Sequence, residues 1–189
     1  MSHPVLIVPG IGNSGPEHWQ SRWQQHNPSY VRVPFAEWDQ PDRHDWVATL
    51  DATVRELGPD TVIVAHSLGT LAVAHWAASY AATHAGRKAP VAAALLVAVP
   101  DPDGPNFPAQ ARHFKPLPLQ ALGFPSVVVA SDNDPYGNPV YAAAVAQAWN
   151  SRFISIGPHG HINAASGLGD WAQGKALLEE LRSDAALTA

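Results

Sequence analysis

With 189 residues the chain is long enough for one domain with a full core over 1–189, and it contains no cysteine, which removes disulfides, thiol catalysis and cysteine-ligated zinc and fits a cytoplasmic location. A net charge of −5 with no basic cluster argues against nucleic acid as a partner. No apolar run reaches the ~18 residues of a membrane span, and Met1-Ser2-His3-Pro4 does not open a signal peptide, so no membrane association is expected.

Val5 to Val8 is a continuous apolar run that reads as a first buried strand. It runs into Pro9-Gly10-Ile11-Gly12-Asn13-Ser14-Gly15. This loop lacks the Gly-Lys-Ser/Thr ending of a phosphate loop and does not fit a dinucleotide fingerprint. Pro16 to Gln25 is expected to be a helix with Pro16 in its first turn, and Trp19 and Trp23 fall on one face as core residues. Tyr30 to Pro34 alternates, contains Arg32 and ends in proline, as an edge strand does. Phe35 to Arg43 reads as a loop, and Asp45 to Leu57 places Trp46, Leu50, Val54 and Leu57 at helical spacing.

Val62 to Ala65 is a short β-branched run, and Leu71 to Ala85 is an alanine-rich helix former. Ser67 and Gly69 lie between them. A buried strand that turns at once into a helix holds its turn residue in a strained conformation at the carboxyl edge of the sheet. Backbones pass closely there, so small residues are needed two before and two after the serine, and Ala65 and Gly69 fill those places. Ser67 as a plain helix cap is the alternative. The elbow would put the N–H of Leu68 beside Ser67, with a second oxyanion donor from Ile11 or Gly12 in the glycine-rich loop.

Val91 to Val99 is an apolar fourth strand. The irregular stretch from Pro100 to Gly123, with six prolines, follows it and is placed to reach over the site as a short partial cover. Ser126 to Ala130 reads as a fifth strand, Pro139 to Trp149 as a helix, Arg152 to Ile156 as a sixth strand and Trp171 to Arg182 as the last helix. Strands that alternate with helices imply an α/β fold: a single, mostly parallel, six-stranded sheet with helices on both faces and minimal or no cap. In such sheets the site lies outside the carboxyl ends of the strands. Those ends carry the Gly10 loop, Ser67, Asp132 and Asp134, and His159 and His161.

A serine hydroxyl needs a base, the base an orienting carboxylate, and the developing oxyanion needs donors. The order Ser67, Asp134, His161 supplies the first three. Asp132 competes with Asp134, and His159 with His161. Pro135 holds Asp134 at the fixed end of a turn, and Gly160 gives His161 a flexible neighbour. Ten histidines and the pair His159-x-His161 raise a metal site, but the histidines are scattered and no helical His-x-x-x-His pair with a nearby acid is seen.

The pieces Pro9-Gly10-x-Gly12 followed by Trp19, Ala65-His66-Ser67-Leu68-Gly69, Ser131-Asp132-Asn133-Asp134-Pro135, Gly160-His161-Ile162-Asn163, and Ser166-Gly167-Leu168-Gly169-Asp170-Trp171 stand in the chain in this order. Together they resemble the small α/β-hydrolases that include retinoblastoma-binding protein nine and its YdeN-like bacterial relatives. The resemblance spans nearly the whole chain and implies a cofactor-free serine hydrolase with Ser67, Asp134 and His161 as triad. Its substrates are expected to be small carboxylic esters or amides. Ala65 in place of glycine is the departure at the elbow. The retinoblastoma partner is not carried over, because the Leu-x-Cys-x-Glu motif needs a cysteine that this chain lacks. A non-catalytic binding module on the same scaffold is the alternative.

Overall fold

The structure, a computed structural model, describes residues 3–188. Six strands form one sheet: β1 (Val5–Val8), β2 (Val31–Arg32), β3 (Val62–His66), β4 (Ala93–Val97), β5 (Ser126–Ala130) and β6 (Arg152–Ser155). Their order is β2-β1-β3-β4-β5-β6, and every pair is parallel. Among the described residues the α-helices are α1 (Trp19–His26), α2 (Arg43–Leu57), α3 (Leu68–Thr83), α4 (Pro139–Trp149) and α5 (Ala172–Thr188).

Successive side chains of a strand face opposite sides, so the continuous apolar runs feed two cores. Leu6, Ile63, Leu96 and Val128 join a cluster with Trp46 of α2, Leu71 of α3 and Trp149 of α4. Ile7, Val64, Leu95 and Val129 face the other way, onto Trp19 and Trp23 of α1 and Leu178 of α5. Helices therefore cover both faces, as expected. Among the described residues no helix is long and apolar enough to cross a membrane.

Several boundaries differ from expectation for identifiable reasons. α1 begins at Trp19 rather than Pro16, because Pro16 to His18 form a turn closed by His18 N–H to the Gly15 carbonyl. The His18 ring then caps the helix, its Nδ1 accepting the Gln20 N–H. β2 is short because Pro34 has no N–H to continue the ladder after Val33 N–H bonds the Ile7 carbonyl. α2 starts two residues early, since the Asp42 carboxylate caps His44 and Asp45. β4 stops at Val97, followed by Ala98 in a left-handed conformation (φ 55°). β6 ends one residue early, at Ser155. α5 runs on past Arg182 to Thr188.

Candidate active site

The elbow is built from packing constraints on three short segments. Ser67 stands between β3 and α3 with φ 54° and ψ −128°, a region that costs a non-glycine residue on the order of 1–3 kcal/mol. Neighbours hold it there: its N–H donates to Val97 of β4, and its carbonyl accepts the Thr70 N–H and hydroxyl. Gly69 is required by space, since a Cβ there would sit 2.4 Å from the Val8 carbonyl oxygen and 2.7 Å from that of Pro9. Gly10 meets the same limit from the other side, where a Cβ would lie 2.9 Å from Ser67 Cβ. Ala65 is fully buried in register with Val8 and Leu96, so a methyl group fits at that position. Ser67 occupies the helix-cap position, yet its hydroxyl makes no capping bond.

That hydroxyl donates to His161 Nε2 at 2.8 Å. His161 Nδ1 lies 2.8 Å from Asp134 Oδ2 and 3.0 Å from Oδ1; a carboxylate only accepts, so Nδ1 carries the proton. Asp134 is buried, and its Oδ1 also accepts the Tyr136 N–H at 2.9 Å. The three expected residues thus meet outside the carboxyl ends of β3, β5 and β6. Asp132 stands apart: it is exposed, and its carboxylate accepts the Ser155 hydroxyl at 2.5 Å, tying β5 to β6. His159 contributes backbone only, its N–H to Ser131 Oγ and its carbonyl to the Ser166 hydroxyl.

Leu68 is the first residue of α3, so its N–H has no intrahelical partner, and the helix dipole favours negative charge beside it. The glycine-rich loop passes close by, as a Cβ on Gly10 would lie 3.1 Å from Leu68 N. Of the two loop candidates for a second donor, Gly12 already gives its N–H to the Trp38 carbonyl at 3.2 Å, which favours Ile11, next to Gly10. Both Ile11 and Leu68 line a cleft of about 580 Å³ that also exposes Ser67 and His161.

Phe107, Pro108 and Gln110 also line the cleft, so the proline-rich stretch reaches the site. It is anchored by a 3₁₀ turn (Ala109–Phe114) whose Phe114 packs edge-on to Trp46, while His75 Nε2–H donates to the Phe114 carbonyl at 2.7 Å.

Two further histidines border the site and were not singled out for a role by the sequence. His18 and His66 line the cleft, and both are buried. Burial, aided by Arg32, holds the His18 pKa down to about 3, and burial keeps His66 well below the ordinary histidine value. Both rings are therefore neutral. This matters because the His66 ring centre is 5.0 Å from that of His161. A charged His66 at that separation would oppose an imidazolium at His161 by about 3 kcal/mol at an effective dielectric constant of about 20. Ser131 and Asn133 were also missed. Asn133 Oδ1 accepts from Ser131 Oγ and from Gly160 N–H, joining the acid loop to the base loop. Among the described residues, no group of three or more His, Cys, Asp or Glu is gathered as metal ligands would be.

A model of a serine hydrolase family matches residues 5–180. Among solved structures, a YdeN-like hydrolase of Pectobacterium atrosepticum is 30% identical and superposes with a TM-score of 0.83, covering 96% of this chain and 91% of the other. The ydeN gene product of Bacillus subtilis is 19% identical, with a TM-score of 0.77 over 96% of this chain and all of that one. A type II thioesterase of the borrelidin biosynthetic cluster shares the fold at 16% identity and a TM-score of 0.64, over 95% and 92% of the two chains. A comparison with curated proteins finds no match. The fold is that of the α/β-hydrolases.

Proposed function

Since the chain belongs to the serine hydrolase family, we propose that it is an esterase-like acyl hydrolase that works through Ser67, His161 and Asp134 on small carboxylic esters or amides. The observation that carries this reading is the unbroken chain from Ser67 Oγ to His161 Nε2 (2.8 Å) and from His161 Nδ1 to Asp134 Oδ2 (2.8 Å). Ser67 Oγ attacks the acyl carbon as its proton passes to His161 Nε2. The N–H groups of Leu68 and Ile11 bind the oxygen as it becomes an anion. Asp134 keeps Nδ1 protonated and stabilises the imidazolium, which then gives its proton to the leaving group. Water repeats the sequence and releases the acid. No metal or cofactor is called for in these steps.

The proline-rich stretch that lends Phe107 and Pro108 to the cleft is short and makes no large cap, which favours short acyl chains. The absence of cysteine favours the cytoplasm, and the net charge of −5 disfavours nucleic acid as a partner. The test is hydrolysis of nitrophenyl esters of increasing chain length together with labelling by a fluorophosphonate, in the presence and absence of EDTA. Short esters should be turned over best and EDTA should have no effect. Ser67→Ala should lose both turnover and label with its Tm retained. Label retained in Ser67→Ala places the nucleophile elsewhere, and activity lost in EDTA and restored by zinc removes the metal-free mechanism.

A further inference from the structure

His161 sits on a loop with no regular structure of its own, between β6 and the 3₁₀ turn at Ala164–Ser166. Its backbone is unusual: Gly160 has φ 57° and Ile162 φ 48°, the latter unfavourable for a β-branched side chain. Such a conformation persists only where the surroundings over-determine it. On the amino-terminal side of the base the ties come from the acid loop. His159 N–H bonds Ser131 Oγ at 2.8 Å, and Gly160 N–H bonds Asn133 Oδ1 at 2.7 Å.

At the base and just after it the ties come from the opposite direction. His66 Nε2–H donates to the His161 carbonyl at 2.9 Å. Trp19 Nε1–H donates to the Ile162 carbonyl at 2.8 Å. Two consecutive carbonyls are thus held by two ring N–H groups, from β3 and α1. Both rings are almost wholly buried, at 5% and 1% exposure, and Ile162 itself is fully buried against the same core. Because a carbonyl only accepts, the proton of the neutral His66 ring is fixed on Nε2.

We propose that His66 and Trp19 are positioning residues for the base: their ring N–H groups hold the His161 and Ile162 carbonyls and so set the reach of the imidazole between Ser67 and Asp134. His66 is the residue immediately before Ser67. The nucleophile and the base are therefore tied to each other through a neighbouring residue, independently of the hydrogen bond in which they react. Trp19, whose ring also meets Trp23 and Trp171, extends the tie into the core between α1 and the sheet. Buried neutral, His66 does this without opposing the charge that His161 acquires.

This inference rests on the triad reading, and the experiment separates the two. His66→Phe and Trp19→Phe keep aromatic packing and remove one donor each, while His66→Gln keeps an N–H donor near the original Nε2. The readouts are kcat per fluorophosphonate-titrated site, KM for a short nitrophenyl ester, Tm, and the downfield proton resonance of His161 Nδ1–H. Counting only titrated sites removes unfolded protein from the comparison. Displacement of a catalytic group by about 1 Å costs up to about 10²-fold. On that scale His66→Phe should lower kcat about 10- to 100-fold with KM within about threefold, and Trp19→Phe should lower it about 3- to 10-fold. The His161 resonance should broaden in both, and His66→Gln should recover to within about threefold of the parent. Unchanged kcat per titrated site in both phenylalanine variants overturns the proposal, as does a loss in His66→Phe that glutamine does not restore. Label surviving in Ser67→Ala would instead overturn the triad reading.

Discussion

The seats of the proposed nucleophile, Ser67, and of the proposed base, His161, are built in opposite ways. Ser67 is held by segments that must be close for the sheet to exist at all: β1, β3, β4 and the start of α3. Its strained φ of 54° follows from a strand that becomes a helix without a loop, and backbone contacts enforce it. His161 hangs on a loop whose conformation is imposed by side chains from far along the chain, namely His66, Trp19, Ser131 and Asn133. Ser67 is thus part of the core's own geometry, whereas His161 is positioned by a few polar contacts added to it. Damage to the first should appear as lost stability, and damage to the second as lost turnover in a folded protein.

Gly69→Ala should show the largest effect. The new Cβ would lie 2.4 Å and 2.7 Å from two backbone oxygens of β1 and its loop, with no flexible side chain to give way. Loss of at least about 3 kcal/mol is expected, a fall in Tm of roughly 6–12 °C. A thermal melt unchanged from the parent would show that the elbow is looser than the backbone contacts imply. Next comes Asp134→Asn, which keeps the shape but favours the wrong tautomer of His161, and should lower kcat by at least about 10²-fold with little change in Tm. Asp132→Asn makes the matching control. The Asp132 carboxylate accepts the Ser155 hydroxyl, away from His161, and the change should cost about tenfold or less. If Asp132→Asn proves more damaging to kcat at equal Tm, the acid has been misassigned. Asn133→Ala, which removes the acceptor of the Gly160 N–H, should lower kcat several-fold and Tm by no more than about 1 kcal/mol in equivalent stability. A change in Tm without a change in kcat would break the contrast between the two seats.

The same contrast explains what could be read in the chain. β1, β3 and β5 were visible as β-branched runs, because a doubly covered parallel strand needs apolar side chains on both faces. The elbow was visible because its demands are local: a buried strand, small residues at 65 and 69, and a helix former after them. The proposed acid and base were legible only as candidates, since Asp132 and Asp134, or His159 and His161, differ by two positions in loops whose turns are fixed by partners elsewhere. The ring ties were not legible. His66 and His161 are 95 residues apart and Trp19 and Ile162 are 143 apart, and a tryptophan at helical spacing reads as core whether or not its N–H has a task. Ile11 and Gly12 were equivalent until the Trp38 carbonyl claimed the Gly12 N–H. The start of α1 was missed because histidine is an uncommon cap, and only the structure shows the His18 Nδ1 facing the Gln20 N–H.

The smallest effect concerns pH, and it tests whether the rings around the base are neutral by burial. The His18 pKa is held down to about 3 by burial, Arg32 and His161, and His66 is held well below 6.5 by burial and by His18 and His161. In the unfolded chain these rings titrate near the ordinary histidine value, about 6.5. Below that pH the unfolded state binds protons that the folded state does not, so stability rises with pH. Their contribution is fully present above about 6.5 and is lost as pH falls toward the folded values. Carboxylates titrate mainly below about 4.5, so the interval from pH 6 to 5 isolates the histidines. The His18 ring, held down to about 3, should remove about 1 kcal/mol across that unit. His18→Asn keeps an acceptor for the Gln20 N–H, since asparagine is among the best helix caps, and deletes one titrating ring. Urea melts at pH 6 and pH 5 should therefore show the parent losing about 1 kcal/mol more than His18→Asn. Equal losses would mean that His18 takes up its proton while folded and is not kept neutral by its burial.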